Sequence, residues 1–202
     1  NSFYRNECLE ADHAGALEVR FNTSIPGGGT QSRINGNRFV DNSGDHCAGA
    51  VFLERPSVAG TTFIAKLAVE GTIFDRNAAA NRSGGAVRPE PGHRMRLPMR
   101  NHLAFGNRTL IHPPAGSLTS GAVLFAELDD NASARLINNT LLDNESAESS
   151  SFGAAVHLRT LSHQSVAGVH NNILIDNPAD GGSGADSDLF VDGNTNAQVS
   201  VR

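Results

Sequence analysis

The chain has 202 residues, a net charge of −5 at pH 7 and no tryptophan. This length is sufficient for one domain with a hydrophobic core. The acidic balance argues against a nucleic-acid partner, and since no apolar run approaches about 18 residues, no transmembrane segment is expected.

Two short phrases alternate along the chain. The first is Phe or Leu followed three residues later by Asn, and its fourth copy, at residues 105–107, is one residue short. The second is Gly-Ala followed by an apolar residue, as in residues 85–87. The asparagines of the first phrase are 30 to 37 residues apart, and they are Asn6, Asn42, Asn77, Asn107, Asn144 and Asn177. An internal period of this size predicts stacked supersecondary units.

The stretches between the phrases favour strands over helices. Residues 61–69, 136–142 and 168–175 alternate apolar with polar side chains and are rich in β-branched residues. Clusters of Gly, Asn, Asp and Ser between them predict turns. Loops of variable length are expected after the Gly-Ala phrase, at residues 25–33, 55–60, 88–98 and 129–133.

The predicted fold is all-β, a right-handed parallel β-helix of about six coils, forming one domain over residues 1–202 without its own end caps. Propeller blades need about 40–45 residues each and fit the shorter, variable unit less well. Equivalent residues of successive coils would lie about 4.8 Å apart.

In such a stack the repeated residues would form columns. The asparagines would form a ladder of side-chain amides at one corner, because Asn tolerates left-handed backbone angles and satisfies buried backbone groups. A second corner, with room for only a small side chain, is predicted at Ala16, Ala50, Ala86, Ala122 and Ala154. The predicted core stack consists of Phe3, Phe39, Phe74, Leu141 and Leu174.

At these phrases the chain resembles known families. Residues 74–77 (FDRN) and 84–87 (GGAV) are similar to the repeat of the polymorphic outer membrane proteins, which are autotransporter adhesins. Residues 171–177 (NNILIDN) and 187–190 (SDLF) resemble the bacterial choice-of-anchor Q β-helix family of secreted surface proteins. Both resemblances imply a β-helix at the cell surface, and neither implies an active-site residue.

The two cysteines, Cys8 and Cys47, lie in the same turn region of adjacent predicted coils. A disulfide between them is the leading interpretation if the protein is secreted. A Cys2His2 metal set with His13 and His46, or two reduced structural thiols, are the alternatives, although the spacings match no known zinc module. No cofactor and no metal are therefore predicted.

Positive charge is concentrated around the third and fourth units. Arg88, Arg94, Arg96 and Arg100 are predicted in a proline-rich outward loop, as a solvated surface or as a contact for an anionic glycan or partner. Catalysis of the polysaccharide-lyase type would need carboxylates beside these arginines, and no cluster of three is obvious there. The Asp-His pairs at residues 12–13 and 45–46 are interpreted as turn residues.

These observations predict a secreted or cell-surface bacterial protein with a non-catalytic role, as an adhesin or as a structural component of a surface layer or fibre. The alternative is a carbohydrate-active β-helix that binds or cleaves an acidic polysaccharide. The repeat already runs at both ends of the chain, so head-to-tail self-association through the terminal coils is a further expectation.

Overall fold

The computed structural model describes residues 1–9, 14–20, 29–45, 48–54, 64–80, 84–89, 94–110, 121–129, 131–146, 154–162, 164–178, 188–193 and 198–201. Within these residues all sheets are parallel and no helix occurs. The chain is a β-solenoid of stacked turns, so the predicted all-β, parallel class is confirmed.

Each complete turn consists of four strands. The first two turns contain β1 (Ser2–Tyr4), β2 (Glu7–Cys8), β3 (Leu17–Arg20), β4 (Gly29–Asn35), β5 (Arg38–Val40), β6 (Ser43–Gly44), β7 (Val51–Glu54) and β8 (Ile64–Glu70). The next two contain β9 (Ile73–Asp75), β10 (Ala78–Ala79), β11 (Val87–Pro89), β12 (Met95–Arg100), β13 (Leu103–Phe105), β14 (Arg108–Thr109), β15 (Leu124–Leu128) and β16 (Ser133–Ile137). The remaining strands are β17 (Thr140–Leu142), β18 (Glu145–Ser146), β19 (Val156–Thr160), β20 (Val166–His170), β21 (Ile173–Ile175), β22 (Leu189–Gly193) and β23 (Gln198–Val201).

Stacking of the turns produces four sheets, which we number in the order that the chain meets them. Sheet 1 is β1-β5-β9-β13-β17-β21, and sheet 2 is the short β2-β6-β10-β14-β18. Sheet 3 is β3-β7-β11-β15-β19-β22, and sheet 4 is β4-β8-β12-β16-β20-β23. The chain thus passes from sheet 4 directly into sheet 1 of the next turn.

The predicted number of about six coils needs correction to about four. Four turns, those that begin at β5, β9, β13 and β17, are complete and have a neighbour on both sides. The turn that begins at β1 has a neighbour on one side only. The turn that begins at β21 likewise has one neighbour, and it contributes no strand to sheet 2 within the described residues.

The core lies between sheets 1, 3 and 4. The middle residue of each sheet 1 strand faces it, so that Phe3 pairs with Phe39 and Phe39 with Phe74 in register. Their rings stack with centroids 4.6 Å and 5.4 Å apart. Leu141 and Leu174 continue the same column, separated from Phe74 by Ala104.

The fourth copy of the Asn phrase is therefore not one residue short. Ala104 lies three residues before Asn107 and occupies the core position, while Phe105 points outward. The ring of His102, two residues before Ala104, contacts Phe74 edge-on with centroids 5.7 Å apart.

The predicted alanine column is also corrected. Val51 pairs with Val87, which aligns Ala50 with Ala86, but Val87 pairs with Leu124. Ala122 and Ala154 are therefore shifted by one position, to where the earlier turns have Gly15, Gly49 and Gly85. A Cβ on Gly49 would lie 2.2 Å from the Gly85 carbonyl oxygen, so the backbone in this turn leaves no room for a side chain at Gly49.

Three of the predicted loops overlap strands, and the overlap is smallest for residues 129–133, whose last residue, Ser133, begins β16. Part of residues 25–33 belongs to β4, and most of residues 88–98 belongs to the end of β11 and to β12. The cause is in β12, where Met95, Leu97 and Met99 are buried and alternate with Arg96, Pro98 and Arg100. Pro89, Pro91 and Pro98 together with the charge indicated a loop, but β12 forms because its outward residues alternate with buried ones.

Candidate functional site

The asparagines of the first phrase lie at the corner between sheets 1 and 2, which we call the Asn corner. Each Nδ2 donates to the Oδ1 of the next asparagine along the axis, at 2.8–2.9 Å. The same Oδ1 also accepts a backbone N–H, and most Nδ2 groups donate to a second carbonyl, as Asn77 does to Phe39. Asn42, Asn77, Asn107 and Asn144 are fully buried.

The left-handed backbone at this corner belongs to the residue before each asparagine, which corrects the reason given for Asn. Positive φ angles of 50° to 62° occur at Arg5, Asp41, Arg76, Gly106, Asp143 and Asp176. The row ends at Asp188, whose Oδ1 accepts from the Asn177 side chain at 2.9 Å. Asp188 lies outside the spacing of the Asn phrase and was not predicted in this row.

A second polar row lies at the corner between sheets 4 and 1, which we call the His102 corner. It contains Thr72, His102, Asn139 and Asn172, each five residues before an asparagine of the first row and each after a residue with positive φ. The Nδ2 of Asn139 donates to Asn172 Oδ1 at 2.8 Å, and the backbone N–H of His102 donates to Asn139 Oδ1 at 3.0 Å. The recurring five-residue offset in the sequence was a signal that could have revealed this row.

His102 performs the role of an asparagine in this row. Its Nδ1 accepts the Thr72 N–H at 3.2 Å, as an amide Oδ1 would. Its Nε2 lies 2.8 Å from the Val69 carbonyl oxygen, equivalent to the Met99 carbonyl that accepts from Asn139. Burial lowers the pKa of His102 to about 4, so the ring is neutral at physiological pH and does not add to the surface charge.

The four arginines predicted as a candidate anion contact are divided among different surfaces. Arg96 and Arg100 are exposed on the outward face of β12, in sheet 4. Arg94, with φ of 57°, lies at the turn that leads into the same strand. Arg88 lies in sheet 3, is only 9% exposed, and its guanidinium is 5.8 Å from the centroid of the Phe125 ring.

A groove of about 470 Å³ runs over the outward face of sheet 4. Its basic lining residues are Lys66, Arg96, Arg100 and Arg135, from the three successive strands β8, β12 and β16. The strand register places Arg96 beside Lys66 and Ser133, and Arg135 beside Pro98 and Gly168. The polar residues Asn131 and Gln164 line one end and hydrogen-bond to each other.

Lys66 and Arg135 were not among the predicted anion contacts. They are isolated in the sequence, about one repeat before and after the arginine cluster, and only the stacking of the turns brings them together. A signal was available, because Lys66 and Arg135 alternate with apolar residues in strands that the repeat aligns with β12. Gly168 lies beside Arg135 in register, and a Cβ there would be in ordinary van der Waals contact with the Arg135 side chain, at 3.6 Å.

Each of the other three sheets carries an ion pair between neighbouring turns. Arg38 pairs with Asp75 on sheet 1, Arg108 with Glu145 on sheet 2 and Arg159 with Glu127 on sheet 3. On sheet 4 the nearest carboxylate in register is Glu70, beside Arg100. Within the described residues, none of Lys66, Arg96, Arg100 and Arg135 forms an ion pair. Sheet 4 is therefore the face with uncompensated positive charge.

Several predicted chemical groups lie outside the described residues. Cys8 pairs in register with Gly44 at the end of β6, but Cys47, His13 and His46 are not described, so the Cys8–Cys47 disulfide stays a prediction. Among the described residues no group of three or more His, Cys, Asp or Glu side chains is arranged to hold a metal ion. The same residues include no helix of the length and hydrophobicity needed to cross a membrane.

No protein-family model, curated protein or solved structure matches the chain. The resemblances to the two surface-protein families therefore remain expectations based on their motifs, whereas the β-solenoid itself is seen directly in the strand pairing.

Proposed function

We propose that the protein is a non-catalytic, secreted or cell-surface β-solenoid that binds an anionic polymer, most simply an acidic polysaccharide, along sheet 4. In this role it acts as an adhesin or as a structural component of a surface layer. The surface location and the adhesive role rest on the resemblance of its repeat to surface-protein families. The anionic ligand rests on the groove.

One observation carries the ligand assignment, namely four cations side by side without an ion-pair partner among the described residues. Cations held close together raise each other's electrostatic energy, and an anionic ligand relieves that repulsion. Strands of one sheet are about 4.8 Å apart, so a polymer lying along the axis would meet basic side chains on successive turns. Arg33, exposed on β4, extends the basic surface by one more turn.

The lining favours a glycan over a nucleic acid. Single-stranded nucleic acids are bound largely by stacking of bases on aromatic side chains, and no lining residue of this groove is aromatic. The overall charge of −5 also opposes a general attraction to nucleic acid. Binding through charge alone predicts a strong decrease in affinity as salt concentration rises.

The test is isothermal titration calorimetry of the protein with polygalacturonate and with heparin at low salt. The variant Arg96→Gln/Arg135→Gln is expected to lose at least about tenfold in affinity, because each charge-assisted contact contributes about 1.5–3 kcal/mol. The matched control is Arg108→Gln/Arg159→Gln, which removes the same charge from sheets 2 and 3 and should bind as the native protein does.

Equal loss of affinity in both double variants would show that binding depends only on net charge, and it would contradict binding in the groove. Binding of DNA in preference to both polysaccharides would show that the ligand is a nucleic acid rather than a polysaccharide. Cleavage is not part of the proposal, and incubation of the polysaccharides with calcium is expected to yield no unsaturated product. Head-to-tail association through the terminal turns remains a separate hypothesis.

A further inference from the structure

The outward face of sheet 1 changes character along the axis. In each three-residue strand the middle side chain faces the core, and the two flanking side chains point outward. Around β5 and β9 this face carries ion pairs, with Asp75 bound by Arg38 and Arg76. On β13, β17 and β21 the only polar outward residue is Thr140. The others, which we call the apolar face, are Leu103, Phe105, Leu142, Ile173 and Ile175.

The apolar face is accessible to solvent. Ile173 is 53% exposed and Ile175 is 48% exposed, while Leu103, Phe105 and Leu142 are half-buried. None of the five belongs to the hydrophobic core cluster. A contiguous group of apolar side chains on one sheet face is a typical feature of a protein–protein contact.

Opposite charges border the two sides of this face. Asp143 and Asp176 are exposed on the side of the Asn corner, directly after Leu142 and Ile175. On the other side, Arg100 is exposed at the end of β12, and Arg135 is exposed in the middle of β16, two residues before that strand ends. Within the described residues neither aspartate and neither arginine forms an ion pair.

We propose that the apolar face binds a second copy of this chain, related by a two-fold axis parallel to the solenoid axis. A two-fold contact uses the same patch on both subunits, so the patch must be complementary to itself. Rotation about an axis parallel to the solenoid brings the acidic border of one copy opposite the basic border of the other. A two-fold axis perpendicular to the solenoid would instead place acid opposite acid.

The charges at the two borders thus favour a second copy of the chain as the partner and fix its orientation. A partner carrying one sign of charge would leave one of the two borders unmatched, whereas a second copy matches both at once. The face is small, since it extends over three turns about 4.8 Å apart and its strands have three residues each. Contacts at the low end of interface size are weak, so the dimer forms reversibly, and its charged borders set orientation more than affinity.

The test uses two complementary charge reversals, Asp143→Arg/Asp176→Arg and Arg100→Glu/Arg135→Glu. Both are compatible with the backbone, because arginine occupies the left-handed positions equivalent to Asp143 at Arg5 and Arg76, and Glu70 is the register partner of Arg100. Sedimentation velocity over a wide concentration range measures the association of each variant alone and of an equimolar mixture.

Each variant alone places like charges at both borders and should stay monomeric where the native chain forms dimers. The mixture places opposite charges at both borders and should recover the dimer. The control Lys66→Glu reverses a cation on sheet 4 away from the border and should leave the native dimer unchanged. Leu142→Asp, which copies Asp75 at the equivalent position, should abolish the native dimer.

A native chain that stays monomeric at all concentrations, or homotypic dimers in either charge-reversal variant, would overturn the proposal. So would a native dimer that Leu142→Asp leaves intact. The inference does not depend on the proposed ligand, because the variant Asp143→Arg/Asp176→Arg retains every groove residue. Its polysaccharide binding therefore reports on the groove separately from the dimer.

Discussion

Asn77 is the residue whose contacts best represent the Asn corner. Its Oδ1 accepts both the backbone N–H and the Nδ2 of Asn42, and its own Nδ2 donates to Asn107 and to the Phe39 carbonyl. All of these groups are buried in the interior of the stack, where water cannot replace a lost partner. The side chain therefore satisfies polar groups from two other turns.

We expect Asn77→Ala to lower the free energy of unfolding by about 1–3 kcal/mol for each buried group that it leaves without a partner. The control Asn35→Ala removes an exposed amide at the end of β4 and should change stability by less than about 0.5 kcal/mol. Urea denaturation followed by circular dichroism measures both. Equal midpoints for the two variants would show that the row of amides contributes nothing to stability.

His102 gives the fold a dependence on pH that an asparagine at the same position would not. Its pKa in the folded protein is about 4, against an ordinary value of 6.5. As pH falls between these values the unfolded chain takes up a proton and the folded protein does not, so unfolding is favoured. The loss of stability begins near the ordinary pKa and is complete below the folded one, and it amounts to roughly 3 kcal/mol.

The variant His102→Asn should remove this component, because Asn139 already makes the equivalent hydrogen bonds in the next turn. We expect the difference in unfolding free energy between native protein and variant to change by roughly 3 kcal/mol between pH 7 and pH 4, in favour of the variant at low pH. Chemical denaturation at several pH values provides the measurement. A difference that stays constant with pH would contradict a neutral, buried His102.

At the scale of the element, the glycines differ sharply in what they permit. A Cβ on Gly49 would lie 2.2 Å from the Gly85 carbonyl oxygen and 2.5 Å from the Ala78 backbone nitrogen. Gly36, with φ of 62°, has no atom within 4 Å of its Cβ position. Asn101, Asn138 and Asn171 occupy the positions equivalent to Gly36 in other turns.

We therefore expect Gly49→Ala to destabilise the fold by about 3 kcal/mol, because backbone on two sides must move. Gly36→Asn should be tolerated within about 0.5 kcal/mol, because Asn adopts left-handed angles more readily than other residues with a side chain. Thermal unfolding of the two variants distinguishes them. A melting temperature for Gly49→Ala close to that of Gly36→Asn would mean that the turns are not packed this closely.

The elements also show why the sequence indicates the repeat more strongly than the groove. Asn, Phe and Gly recur because each occupies a position where few side chains can replace it, so the phrases predicted which residues stack. Arg96 and Lys66 occupy outward positions that tolerate many residues, so no recurring phrase marks them and only their alternation with apolar residues indicates which way they face. Their proximity arises only from the register between β8 and β12.

Where the sequence misled, one residue of offset was responsible. The fourth phrase was aligned on Phe105 because this residue is aromatic, although Ala104 faces the core. In the same way, Ala122 was aligned with Ala86 because both belong to a Gly-Ala phrase, although in the structure Ala122 aligns with Gly85. In a strand, a shift of one residue exchanges the inward and outward faces, so small errors of register change which side chains are available for function.

For the whole molecule, the turns supply a rigid frame and leave the outward faces free to differ. Sheets 1 and 3 neutralise charge between neighbouring turns, sheet 4 accumulates positive charge, and one half of sheet 1 is apolar. Fold class follows from the interior, which the repeat encodes. Function depends on the outward faces, where no comparable constraint acts on the residues.

The hydrogen-bonded rows at the Asn and His102 corners have an evolutionary consequence. Each turn presents acceptors to the turn before it and donors to the turn after it, so the junction between any two neighbours is chemically almost the same. Duplication or deletion of a gene segment encoding one whole turn would therefore rejoin compatible surfaces. Lineages carrying this architecture can lengthen or shorten the molecule in steps of one turn, and with it the number of sites along its outer surface.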